Sequence, residues 1–392
     1  CEEAYVLDNG FCHPGQTDCY CAKGENTEYC LDSETNSECS KEATAVLKDQ
    51  ETSDLRELEQ ALHYEEFRKH RPSSTRFLRR NAEYLIYLAG FWLADRFNLK
   101  RLQTGGKVIG KLAYRLFPKE RGIALMQLSK IYPELSPEER DSWCLECFMH
   151  FGQLLTEFLG MQRIEEVWPE CLEIVGDELL QEALAQEKGV LMMALHQGNW
   201  ELISLFAKHA QIKMNAVTAN FPESRVNEKL LERRENPWMS IIRRGEPGTV
   251  SKLLRSLRNR EVLILAIDQD TNVPSNWVPF FGMPAKTPVG LAKLAWKSGS
   301  PLLSYAILRQ PEGKFKLIFE KIDAIPGKNA GEEELFRLNR LLNHHLEQVI
   351  RREPKQWAWI HRRWRHQPDI ESRLEMEKRE EMQNSDQNIQ ID

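Results

Sequence analysis

The sequence predicts an α/β fold, a central mixed, mostly parallel sheet flanked by helices. Three observations carry this. From Asp177 to residue 352, short apolar runs alternate with helical periodicities. Within that alternation, Gly189 to His209 (GVLMMALHQGNWELISLFAKH) reads as a buried strand, a tight turn and a helix. Polar residues then gather where strands end: His196 after one, Asp268-Gln269-Asp270 after another. Sites in such sheets lie beyond the strand C-termini.

The chain of 392 residues is long enough for one large domain or two small ones. Its formal net charge of −6 is uneven: residues 1–39 hold nine acids and one lysine, leaving +2 for the remainder. That balance argues against a nucleic-acid binder. Basic residues cluster locally at 76–80, 231–234, 241–245 and 361–366, suiting either a solvated face or an anionic partner.

Residues 1–40 form an acidic extension with six of the nine cysteines, at 1, 12, 19, 21, 30 and 39. An even count suggests a small disulfide framework. The first methionine is Met126, so Cys1 is expected to be a processed or lipid-modified start, or the chain a fragment. No stretch between Cys39 and the main domain reaches the ~20 apolar residues that cross a bilayer, which puts both on one side of any membrane. The extension is expected to be an appendage separate from catalysis. Residues 41–81 are charged, with a short amphipathic helix over Leu55, Leu58, Leu62 and Phe67 and a linker at 70–74.

The main domain is expected over 82–366. It opens with the most apolar run, 82–99, in which Tyr84 to Ala94 carries no charge. Too short to span, this run suits either a buried core helix or an interfacial anchor with Tyr84, Tyr87 and Trp92 at headgroup level beside Arg76, Arg79 and Arg80. Ser136-Pro137-Glu138-Glu139 is a capping box opening a helix that ends at Gly160. That helix is expected to bury Trp143, Cys147, Phe148, Phe151, Leu154, Leu155 and Phe158. Its Cys144-x2-Cys147 reads as core packing. Then follow helix 178–187, strand 190–195, helix 199–210, strand 212–219, helix 223–235, a short strand near 239–242 and helix 247–258. Strand 262–267, helix 287–298, strands 301–307 and 315–323 and helix 332–352 complete the domain. Residues 367–392, rich in Glu, Gln and Asn, read as a frayed polar tail.

His196 and Glu201 are five apart, a spacing that splays side chains on a continuous helix. Gln197-Gly198-Asn199 between them supplies a turn, with Gly198 free to take unusual angles and Asn199 as N-cap. A carboxylate in the first helical turn, set against one imidazole nitrogen, leaves the other nitrogen as a base. This predicts a His196–Glu201 pair able to take a proton from a hydroxyl.

HQGNWE resembles the H-x4-(D/E) motif of glycerolipid acyltransferases, and its H-x-G-N-W-E form is similar to the lipid A late acyltransferase family. Residues 113–140, 151–160, 268–295 and 357–364 (WAWIHRRW) follow that family's order and spacing, so the resemblance covers roughly 80–366. It implies a glycerolipid acyltransferase-like fold with an N-terminal membrane-associating helical segment at the cytoplasmic face of a Gram-negative inner membrane. The implied partners are acyl carrier protein as acyl donor, a glycolipid acceptor and the membrane surface. The implied reaction is acyl transfer to a hydroxyl of a lipid A precursor, without cofactor or metal. His196 would be the base and Glu201 its orienter.

Backbone N–H groups of Gly198 and Asn199, or Arg233, Arg234 or Arg243, would hold the oxyanion. The family often carries an arginine after the second strand; Ala219-Asn220 stand here, so Arg225 would substitute for phosphate binding. Asp268, Phe280, Phe281 and Thr287 match the third block, with the two phenylalanines lining an acyl groove. Arg362 and Arg363 among Trp357, Trp359 and Trp364 would recognise an anionic glycolipid. Two alternatives stand beside this reading: the same chemistry on another glycolipid or amphiphile, and a non-catalytic lipid-binding or envelope-scaffold protein.

Overall fold

The computed structural model describes residues 74–219, 224–323 and 331–389, with side chains from Tyr84 to Glu381. Within the separate unit Cys1–Glu57 it describes two hairpins of two-residue strands, Val6–Leu7 with Gly10–Phe11 and Ala22–Lys23 with Asn26–Thr27. The six cysteines of the extension, the amphipathic segment of 41–73 and the arginine side chains of 76–80 lie outside the described residues.

In the unit Leu58–Asp392, four helices come first: α1 Ser74–Ala94, α2 Leu99–Leu116, α3 Pro118–Ile131 and α4 Pro137–Leu159. Asn98 caps α2, its side chain accepting from the Arg101 N–H at 3.0 Å. The capping box of α4 is present in full, with Ser136 and Glu139 bonding reciprocally and Pro137 in the first turn. Helices α2 and α4 pack backbone to backbone. Gly106 and Gly110 meet Gly152 so closely that a Cβ at any of the three would strike main-chain atoms. Among the described residues no helix is long and apolar enough to cross a membrane.

The sheet strands are β1 Leu172–Val175, β2 Val190–Ala194, β3 Met214–Thr218, β4 Met239–Arg243, β5 Val262–Ala266, β8 Leu302–Arg309 and β9 Phe315–Lys321. A separate hairpin pairs β6 Ser275–Phe280 with β7 Met283–Pro288. Helices α5 Asp177–Ala185, α6 Ile203–Ala210, α7 Ser224–Arg234, α8 Thr249–Arg258 and α9 Gly290–Ser298 connect the strands, followed by α10 Glu332–Arg352 and α11 Ile370–Ile389. The seven-stranded order is β1-β9-β8-β2-β5-β3-β4, with every neighbouring pair parallel except β8 and β9.

The expected mixed, mostly parallel α/β layer is therefore what the chain forms. Every residue of β2 is buried. Leu191 and Met193 feed one core layer, with α8, α9 and α10; Val190, Met192 and Ala194 feed the other, with α5, α6 and α7. Alternating direction along a strand buried on both faces gives this division.

Several expectations change. Helix 199–210 starts as a 3-10 turn, Trp200–Leu202, and Asn199 makes no cap bond because its side chain is taken elsewhere. On α4, Leu155 is exposed while His150, Gln153, Thr156 and Glu157 are buried: the helix turns a polar face inward, against the sheet's C-terminal edge. In α1, Tyr84 and Tyr87 pack against the core rather than facing outward, whereas Leu85, Ile86, Trp92 and Leu93 are exposed. The polar tail contains α11, anchored by Met376 in an apolar cluster with Val278 and Phe336.

Candidate active site

Strands β2 and β5 run parallel with a constant offset, Val190 opposite Val262 through Ala194 opposite Ala266. Carried two residues past the strand ends, that register sets His196 against Asp268. The His196 backbone N–H donates to Asp268 Oδ2 at 2.7 Å, and Nδ1 meets Oδ1 at 2.8 Å. The Trp357 indole N–H adds a third bond to Oδ2 at 3.0 Å.

Asp268 is almost fully buried, its side chain 1% exposed against 24% for His196. Burial alone would raise the Asp268 carboxyl, but the His196 charge and the hydrogen bonds from His196 and Trp357 outweigh it and hold it down to about 2. Burial likewise opposes charge on His196; the Asp268 charge and hydrogen bond, with a lesser contribution from Glu201, outweigh burial and raise the imidazole above its ordinary value. An ionised Asp268 requires the proton of neutral His196 on Nδ1. Nε2, which no described protein group hydrogen-bonds, is then the basic atom.

The acid behind the imidazole is thus Asp268 and not Glu201. Glu201 is engaged by Arg234 of α7, whose Nε donates to Oε2 at 2.7 Å, and by the Trp200 indole at 3.1 Å. The reason lies in the corner. Gly198 takes φ +63°, and an added Cβ there would collide with the Ile307 carbonyl. This turn, followed by the 3-10 step, sends Glu201 toward α7 rather than back over the ring.

The corner is clamped by its neighbours. Gly198 N–H donates to the Gln356 carbonyl at 3.1 Å, Asn199 N–H to the Ile307 carbonyl at 2.7 Å, and Ala358 N–H to the His196 carbonyl at 3.0 Å. Both N–H groups expected to form an oxyanion hole are therefore spent on the backbone. From α4, His150 Nε2 bonds the Gly198 carbonyl at 3.0 Å; burial first, then the Arg309 charge, lowers this imidazole to about 3, leaving it a neutral donor. Glu157, wholly buried, accepts from Asn199 at 2.8 Å and from Gln103 at 2.9 Å and pairs with Arg309.

A cavity of about 510 Å³ opens beyond the strand ends, reaching His196, Trp200, Glu201, Arg234 and His361. Its walls are mainly apolar, from Ala216, Ile241, Ile264, Ile267, Val273 and Leu291 among others. His196 lies 5.0 Å from Trp200 and 5.8 Å from His361 between ring centroids. Burial, then the His196 charge, lowers His361 to about 4, so it is neutral at pH 7.

The other expected site residues divide. Phe280 is core and carries the Arg363 guanidinium on its ring; Phe281 sits at the β6–β7 turn with φ +51°, and neither lines the apolar cavity. Arg363 is fully buried, bonding the Lys286 carbonyl and the Thr287 hydroxyl at 2.7 Å each, which makes both Arg363 and Thr287 internal supports. Arg225 and Arg233 cover the Tyr84 and Phe91 rings, and Arg243 faces Glu246 at 3.5 Å; all three lie outside the cavity wall. Arg362 is exposed and lines a second, polar cavity.

Sequence reasoning took Asp268 for a substrate contact and missed Glu157, His150, Arg309 and the clamp by 356–358. The signal for Asp268 was present: an acid immediately past a buried strand, like the histidine past its neighbour. Cys144, Cys147 and Cys171 are buried free thiols.

Residues 68–366 match the model of a family described as bacterial lipid A biosynthesis acyltransferase. The chain is 25% identical over 299 residues to a lipid A biosynthesis lauroyltransferase of Escherichia coli (strain K12), covering 71% of this chain and 90% of that one. It is 27% identical over 283 residues to a lipid A biosynthesis palmitoleoyltransferase of the same strain, covering 69% and 86%. A phosphatidylinositol mannoside acyltransferase of Mycobacterium tuberculosis (strain CDC 1551 / Oshkosh) is 25% identical over 193 residues, covering 49% and 59%.

Proposed function

Since the chain belongs to the bacterial lipid A biosynthesis acyltransferase family, we propose that it is a membrane-associated O-acyltransferase. It moves a fatty acyl chain from acyl carrier protein to a hydroxyl of a lipid A precursor. The observation that carries this is the His196–Asp268 pair, with His196 in the wall of an apolar cavity.

In the reaction, Nε2 of His196 takes the proton of the acceptor hydroxyl as its oxygen attacks the thioester carbonyl. A C–O bond forms and the carbonyl electrons pass to oxygen. Asp268 keeps the Nδ1 proton in place and stabilises the imidazolium. The oxyanion collapses, the C–S bond breaks, and His196 returns its proton to the leaving thiolate. The Gly198 and Asn199 N–H groups being occupied, Gln269 and His361, which line the cavity beside His196, are the donors for the oxyanion.

Membrane seating is supported by α2. It has no acidic residue; Lys100, Arg101, Lys107, Lys111 and Arg115 flank the exposed Val108, Ile109, Leu112 and Leu116. Apolar side chains among cations suit an anionic headgroup layer, and Trp92 of α1 is likewise exposed. The phosphatidylinositol mannoside relative supports a second acceptor reading, another glycolipid with the same chemistry.

The test is acyl transfer by purified protein from acyl carrier protein thioester to a lipid A precursor. Wild type is expected to transfer. His196→Ala, folded, is expected to lose the rate by about 10²–10⁴-fold. Full activity in that variant contradicts the proposal and favours the scaffold alternative.

A further inference from the structure

A polar cavity of about 320 Å³ adjoins the apolar one, and Gln269 and His361 belong to the walls of both. Lys119 comes to it from the first turn of α3, and Arg362 and Arg365 from the C-terminal segment. Two acids also line it, Glu120 and Asp270. Asp270 is already committed: its Oδ2 accepts the His366 backbone N–H and its Oδ1 meets His366 Nδ1, both at 2.8 Å. Arg365 additionally bonds Asn272 at 2.6 Å. The cavity therefore sets three cations against two carboxylates, one of which, Asp270, is turned onto His366.

A fatty chain gains nothing from such a wall. A substrate with its carbonyl at His196 and its chain in the apolar cavity has the polar cavity next to it, across Gln269 and His361. We infer that the polar cavity seats a phosphate group carried by the polar part of a substrate, held by Lys119, Arg362 and Arg365. This rests on the reading of His196 as the reacting centre. The guanidinium fork of Arg362 suits phosphate oxygens, and Lys119 adds a mobile point charge. Two molecules would bring this chemistry: the phosphorylated glycolipid acceptor, or the acyl donor through the phosphodiester of its carrier arm.

The experiment is steady-state acyl transfer with donor and acceptor varied separately, using a lipid A precursor and its enzymatically dephosphorylated form. The variants are Lys119→Ala/Arg362→Ala and Arg362→Lys; these exposed positions should leave the melting transition where it is. The double variant is expected to raise one KM by about 10- to 100-fold, with a much smaller fall in kcat. Arg362→Lys is expected to lose less. If the acceptor KM rises and the effect vanishes on the dephosphorylated acceptor, the seated phosphate is the acceptor's; if the donor KM rises, it is the donor's. Unchanged values for both KM overturn the inference. His196→Ala separates the two layers of argument. Its loss of turnover with retained binding of the phosphorylated acceptor leaves the reacting centre intact whichever way the KM values fall, whereas an active His196→Ala removes the premise itself.

Discussion

At the scale of single residues, two buried carboxylates beside the same corner do different work. Asp268 is bonded to His196 and Glu201 to Arg234. Asp268→Asn keeps the shape but removes the charge that raises His196. The acid limb of the rate profile, where His196 becomes protonated and ceases to be a base, is then expected to move to lower pH. The rate above it falls as the Nδ1–H tautomer loses its anchor.

The pair also links stability to pH. Because Asp268 is held down to about 2, its contribution of about 2 kcal/mol is present above the ordinary carboxylate range and lost as pH falls toward 2. Because His196 is raised, its part is full below the ordinary imidazole value and lost as pH rises through the folded one. Urea unfolding midpoints across pH check both edges; in Asp268→Asn both are expected to flatten. Glu201→Gln leaves Arg234 with 17% side-chain exposure and no carboxylate. It is expected to cost about 2–4 kcal/mol, partly recovered in Glu201→Leu/Arg234→Met.

At the scale of elements, the sheet's core strands and most of its connecting helices were legible because apolar runs of strand length and helical periods differ plainly in sequence. The corner itself was not. Its turn was readable from Gly198, yet where Glu201 points depends on the 3-10 step and on Arg234, which is contributed by a helix 33 residues on. The polar face of α4 was read as apolar because Glu157 and His150 only make sense once Arg309, Asn199 and the Gly198 carbonyl are brought to them. Close helix packing was written in the four-residue spacing of Gly106 and Gly110, although Gly152, the residue they meet, lies 42 residues on from Gly110 in another helix. Gly110→Val drives a branched side chain into the α4 backbone at Phe148 and Met149. It is expected to cost about 3 kcal/mol or more, seen as a lowered denaturation midpoint. On the opposite side of α2, Ile109→Glu/Leu112→Glu is expected to weaken sedimentation with anionic vesicles while leaving that midpoint unchanged, since both side chains are exposed.

At the scale of the whole molecule, the parallel sheet acts as a ruler. One register places a histidine and an aspartate, 72 residues apart, at the same height above neighbouring strands. The segment 356–358 then closes over the corner, and Trp357 completes the bonds to Asp268. The most direct test of this arrangement is the ring nitrogen NMR of His196, followed with pH in wild type, Asp268→Asn and Glu201→Gln. The account predicts a wild-type imidazole protonated on Nδ1 when neutral, with a pKa above the ordinary value, a large fall in Asp268→Asn and a smaller one in Glu201→Gln. A pKa and tautomer that survive the loss of the Asp268 charge, but collapse with that of Glu201, would contradict it.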